Sequence, residues 1–121
     1  MLPITAALIV LLLFRTVFLL GYVPTASMEP TLKARSLVLG NRLDQCFEVG
    51  DVVIFRHDGQ LLVKRIAAVE GDIVTHKGIS ITVPAGTCYV LGDNAEDSYD
   101  SRYWDEPFVP ESEIVAKVLL P

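Results

Sequence analysis

Ser27 and Lys64 are the two residues of this chain whose types and settings best suit them to do chemistry together. Ser27 lies in Pro24-Thr25-Ala26-Ser27-Met28-Glu29-Pro30, between two prolines that restrict the backbone on either side. An apolar run ends just before it. A hydroxyl held there suits a nucleophile that meets substrates at a membrane. Only His57 and His76 could supply an imidazole base, and neither stands in a recognisable catalytic pattern. Lys64 is the other candidate base. Strand alternation over 61–69 sets Leu62, Lys64 and Ile66 on one face and Val63, Arg65 and Ala67 on the other. A lysine between two aliphatic neighbours on a buried face is desolvated. That disfavours its ammonium form and leaves an amine able to take a hydroxyl proton. Serine and neutral lysine then form a dyad for nucleophilic catalysis. Taken alone, Lys64 reads better as a strand lysine whose stem snorkels to a sheet edge.

The elements that must position these residues read as mainly β. Ser36–Gly40 and Asp51–Arg56 form short apolar strands, and His57-Asp58-Gly59-Gln60 turns the second into 61–69. A second hairpin joins Ile73–His76 to Ile79–Val83 through Lys77-Gly78. Strands over Cys88–Leu91 and Ile114–Leu119 follow. Strands of this length and spacing predict a small, strongly bent antiparallel sheet or barrel. The polar loop over 92–110 is long for so small a domain. Its density of hydrogen-bonding side chains predicts a segment packed by internal ties.

The 121 residues allow one small domain and an N-terminal segment. The stretch Ile4–Val23 has one charge, Arg15, and about 20 apolar residues span a bilayer. The expected organisation is a transmembrane anchor over 1–23 and a domain over 24–121. The domain carries 9 Lys and Arg against 15 Asp and Glu, so its net charge of −6 argues against nucleic acid and anionic lipid as partners. Cys46 and Cys88 could pair in an oxidising compartment or stand as two buried thiols.

Four boxes occur in order: Ser27-Met28-Glu29-Pro30-Thr31; Gly50-Asp51-Val52-Val53; Lys64-Arg65 with Gly71-Asp72; and Gly92-Asp93-Asn94 with Ser98, Asp100, Ser101 and Arg102. Together they resemble the bacterial type I signal peptidase family, in its short Gram-positive-like form, along nearly the whole chain. The resemblance implies a membrane-bound serine endopeptidase that removes leader peptides from secretory preproteins after Ala-X-Ala, without cofactor or metal. It implies a single-pass protein of the cytoplasmic membrane with its catalytic domain outside. Carried over by position, Ser27 is the nucleophile and Lys64 the general base. The Ser27 N–H and the Thr25 hydroxyl form the oxyanion hole. Ser98 orients the lysine, and the pairs Asp93–Arg65 and Asp100–Arg102 brace the site. Met28, Leu32, Leu62 and Val63 line shallow pockets for small side chains. Ala95, where the family often has Arg, and the acidic insertion Asp105-Glu106-Pro107-Phe108 depart from the family pattern.

Three other readings compete. A repressor-type autoprotease shares the dyad but needs a cleavable Ala-Gly upstream of the serine, whereas Ala85-Gly86 lies downstream. A conjugative-transfer maturation peptidase shares both dyad and topology. A membrane-tethered calcium module could use Asp93, Glu96, Asp97 and Asp100, but the loop lacks the glycine and glutamate of an EF-hand.

Overall fold

A computed structural model describes residues 4–9, 17–23 and 25–119. Its main element is a seven-stranded antiparallel sheet. The strands are β1 (Phe18–Val23), β2 (Ser36–Asn41), β3 (Val52–His57), β4 (Gln60–Val69), β7 (Thr87–Leu91), β8 (Phe108–Pro110) and β9 (Ile114–Val118). Their order across the sheet is β1-β2-β9-β3-β4-β7-β8. The strands β5 (Ile73–His76) and β6 (Ile79–Thr82) form a separate hairpin.

The centre of the sheet follows from β3. Its unbroken apolar run sends Val52 and Ile54 into one core cluster and Val53 and Phe55 into another, on opposite faces. A strand buried on both faces carries no polar alternation. The two-residue turns Asp58-Gly59 and Lys77-Gly78 have positive φ at both positions, matching the twist of the strands that they join. The ladder of β4 against β7 shifts register between Ile66 and Ala68, a bulge of the kind that bends a strand.

The expected β class stands, with two strands added. β8 is three residues ending in proline, too short and too poor in N–H donors to read as a strand. β1 is the larger difference. Phe18–Val23 was expected to complete a transmembrane helix, but it is an edge strand paired with β2 from Phe18↔Asn41 to Val23↔Ser36. Val23 is buried in the core, so the sheet begins at Phe18 and not after residue 23. Residues 4–9 are helical, and residues 1–3 and 10–16 of the expected 1–23 anchor, Arg15 among them, lie outside the described residues. Among the described residues, no helix is long and apolar enough to cross a membrane. Cys46 is exposed and Cys88 buried, both as free thiols.

Candidate active site

Ser27 sits in the loop between β1 and β2, and three ties from residues 93 and 94 hold that loop. The Asn94 N–H donates to the Ser27 carbonyl at 2.7 Å, and its side-chain amide donates to the Ala26 carbonyl at 3.1 Å. The Asp93 N–H reaches the Met28 sulfur at 3.4 Å. Within the loop, the Thr25 hydroxyl donates to Ser27 Oγ at 3.2 Å, and the Ser27 N–H points back to Thr25 Oγ1 at 3.4 Å. Ser27 is 5% exposed.

Lys64 comes from β4 and is 4% exposed. As alternation predicts, Leu62 and Ile66 on its face pack against the second core cluster, while Val63 packs against the first. Its Nζ donates to Ser98 Oγ at 3.2 Å, and Ser98 Oγ donates to Asp100 Oδ2 at 2.8 Å. Asp100 is fully buried. It also accepts from the Gly92 N–H at 2.8 Å and from Arg102 Nε and Nη2 at 2.9 Å each. A buried carboxylate satisfied this completely stays ionised. Burial pushes its pKa up, but the bonds from Arg102, Gly92 and Ser98 together bring it below the usual value. At Lys64 the balance runs the other way. Burial lowers the pKa and outweighs the attraction of Asp100 for the ammonium form, with Arg102 adding to the fall.

The opposite face of β4 ties the same parts together. Arg65 grips Asp93 with Nε and Nη2, both at 2.8 Å, and reaches the Gly50 carbonyl at 2.6 Å and Thr31 Oγ1 at 3.4 Å. Hydrogen bonding from Arg65 is the main reason that Asp93 titrates below its ordinary range. One arginine thus links β4, the 92–94 segment and the serine loop. In the long loop, Ser101 donates to the Pro107 carbonyl at 2.7 Å and accepts from the Val90 N–H at 3.0 Å. These are the internal ties expected of it.

Thr25, Ser27, Leu62 and Lys64 line two adjoining cavities. The smaller, about 130 Å³, is apolar and walled by Val23, Ile54, Leu61 and Val63, with Leu19 and Leu20 of β1 completing it. The strand read as the end of an anchor is therefore a wall of the cleft. The larger, about 520 Å³, opens past His57, Tyr99 and Trp104. Of the four residues expected to line pockets, Leu62 and Val63 do so. Met28 and Leu32 are buried instead in the first core cluster, because the tightly tied loop turns them inward.

Sequence reasoning missed three features. Asn94 clamps the serine loop, and its place after Gly92-Asp93 was the available signal. A Cβ on Gly92 would lie 2.1 Å from Ser98 Oγ and 2.7 Å from the Ser27 carbonyl oxygen, so only glycine fits there. His57 stacks on Trp104, with ring centroids 3.8 Å apart, and shares the larger cavity with the candidate dyad.

The family model for signal peptidase, peptidase S26, matches residues 1–84 and 76–121. The chain belongs to that family. The membership is one of serine endopeptidases, in keeping with a buried serine and lysine in one cleft. A probable signal peptidase I-1 of Synechocystis sp. is 28% identical over 81% of this chain and 67% of its own length. A mitochondrial ATP-independent inner membrane protease subunit 1a of Arabidopsis thaliana is 35% identical over 78% of this chain and 64% of its own. A chloroplastic thylakoidal processing peptidase 1, also of Arabidopsis thaliana, is 30% identical over 68% and 36%. The chain spans between 56% and 67% of the length of five such relatives.

Proposed function

We propose that this chain is a signal peptidase that cuts leader peptides from preproteins with Ser27 as nucleophile and Lys64 as general base. The observation that carries this reading is the shared cleft. A buried serine hydroxyl and a buried, hydrogen-bonded lysine amine line the same two cavities. Neutral Lys64 takes the Ser27 proton as Oγ attacks the scissile carbonyl carbon. The charge that develops on the carbonyl oxygen is met by the Ser27 N–H and the Thr25 hydroxyl, which turns from Ser27 Oγ to do so. Protonated Lys64 then gives its proton to the departing amine. A water molecule, deprotonated by Lys64, releases the acyl group from Ser27. Ser98 acts on the lysine and not on the substrate, fixing Nζ against the anchored Asp100. Arg65–Asp93 and Asp100–Arg102 hold the two halves of the site in register. The apolar residues ahead of β1 bring the domain to the membrane that carries the preprotein. The mechanism calls for no cofactor or metal. The test is to incubate the detergent-solubilised chain with a preprotein bearing Ala-X-Ala and to map the cut. A single cut after the second alanine is expected, and an intact preprotein would refute the reading.

The pH dependence follows from the direction of the lysine shift. Activity needs neutral Lys64, and burial favours that form. Cleavage should therefore rise with pH through an apparent pKa below about 10.4, the value of free lysine. A pH–rate profile that climbed steadily to pH 10 would show a lysine that is still hydrated.

The small cavity predicts selection at the residue before the cut. Its apolar walls, Val63 among them, suit an uncharged side chain, and the family's Ala-X-Ala preference makes that side chain small. Each methylene that does not fit lowers kcat/KM by roughly 10–200-fold. Ala, Gly or Ser should be accepted and Leu slowed by at least about a hundredfold. Val63→Ala should narrow that gap, which competition between paired preproteins would measure. Equal rates for Ala and Leu would contradict the pocket assignment.

A further inference from the structure

The larger cavity points to a selection that the small one does not account for. It starts at Ser27 and Lys64 and shares His57, Asp58, Tyr99 and Trp104 with a further cavity of about 780 Å³, forming one groove. The dyad chemistry sets its direction. The proton from Ser27 must reach the departing amine from Lys64 Nζ, so the segment after the cut leaves on the side to which Nζ points. Nζ is bound to Ser98, and the next residue, Tyr99, lines the groove. The leader's small side chains occupy the apolar cavity on the other side.

The groove wall has two properties that favour cations. Its floor is aromatic, with Trp104 stacked on His57 and set edge-on to Tyr99 at 6.4 Å between centroids. Tyr99 is 67% exposed although Tyr103 stacks on it at 5.7 Å between centroids, so part of its ring is open to a passing side chain. Its outer rim carries Asp58, Asp105, Glu106 and Glu113 against one cation, Arg56. Lys77 pairs with Asp105 at 3.0 Å and His57 Nε2 lies 3.4 Å from Asp58 Oδ2, which leaves Glu106 and Glu113, outside both pairs, to set most of the field. Asp105 and Glu106 belong to the acidic insertion that departs from the family pattern. Aromatic faces and carboxylates together attract ammonium and guanidinium groups.

We propose that this groove receives the segment following the scissile bond and favours basic over acidic residues there. The inference rests on the peptidase reading for its direction, and its test has an arm that does not. In the first arm, three preproteins share one Ala-X-Ala leader and carry Lys, Gln or Glu at the second to fifth positions after the cut. At low salt the Lys form should be cleaved with a kcat/KM about tenfold above that of the Glu form, falling to within about twofold at high salt. The combined variant Asp58→Asn, Glu106→Gln, Glu113→Gln should bring the low-salt ratio to within about twofold, as expected when a steering field is removed. In the second arm, fluorescent peptides with the same segments bind to full-length Ser27→Ala protein, with and without those three substitutions. A Lys preference that disappears with the carboxylates supports the groove even if no preprotein is cut, in which case the peptidase reading alone falls. Equal binding of Lys and Glu peptides to Ser27→Ala protein, or a preference that survives the substitutions, overturns the inference.

Discussion

Ser27→Ala and Lys64→Ala should each lower cleavage of an Ala-X-Ala preprotein on the order of 10⁶-fold, the scale seen when a serine hydrolase loses its nucleophile or its base. Combining them should cost little more, because neither half of a dyad works without the other. Both side chains are buried, but the changes are not equivalent for the fold. Ser27→Ala removes only an acceptor of the Thr25 hydroxyl. Lys64→Ala empties a lysine-sized space beside Leu62 and Ile66 and leaves the Ser98–Asp100 pair facing it. Thermal unfolding measured beside activity separates the two effects. Ser27→Ala should unfold as the parent does while showing no turnover. A Ser27→Ala protein that still cut at the same site would remove the serine from the mechanism.

Gly92→Ala should be the next most damaging change, although it adds one methyl group and touches neither member of the dyad chemically. The new Cβ would lie 2.1 Å from Ser98 Oγ, 2.6 Å from Ser98 Cβ and 2.7 Å from the Ser27 carbonyl oxygen. Contacts that short must open. Ser98 is pinned between Lys64 and Asp100, and the Ser27 carbonyl is held by the Asn94 N–H at 2.7 Å. The substitution therefore pushes serine and lysine supports apart at once. A displacement near 1 Å costs about a hundredfold in rate, and overpacking costs about 1–3 kcal/mol of stability. The fall should be mainly in kcat, since the small cavity is walled by other residues. A folded Gly92→Ala protein with parental kcat would show that the 92–94 segment does not set the dyad geometry.

What could be read before the fold was known follows the range of the forces involved. Alternation within β4 is local, so the face shared by Lys64, Leu62 and Ile66 was legible, as were the Asp58-Gly59 and Lys77-Gly78 turns. The pairing of β1 with β2 was not. Phe18–Val23 continues an apolar run without a break, and only the partner strand decides that it forms a sheet edge. The misplacement of Met28 and Leu32 has the same origin. Whether they face the cleft or the core depends on how residues 93 and 94, far along the chain, seat the serine loop. Gly92 and Asn94 stood within a visible box, but the close approach that demands glycine exists only once Ser27 and Ser98 meet across it.

The most direct test of the dyad is the Lys64→Arg protein. Arginine keeps a positive charge, a long stem and the capacity to donate to Ser98, but it cannot surrender a proton in the accessible pH range. Cleavage of an Ala-X-Ala preprotein by the parent and by Lys64→Arg should be followed from pH 6 to pH 10 with the cut site mapped. The dyad predicts a parental profile that rises to a plateau and no product from Lys64→Arg at any pH. A Lys64→Arg protein that cut the same bond, at any pH in that range, would contradict lysine as the base.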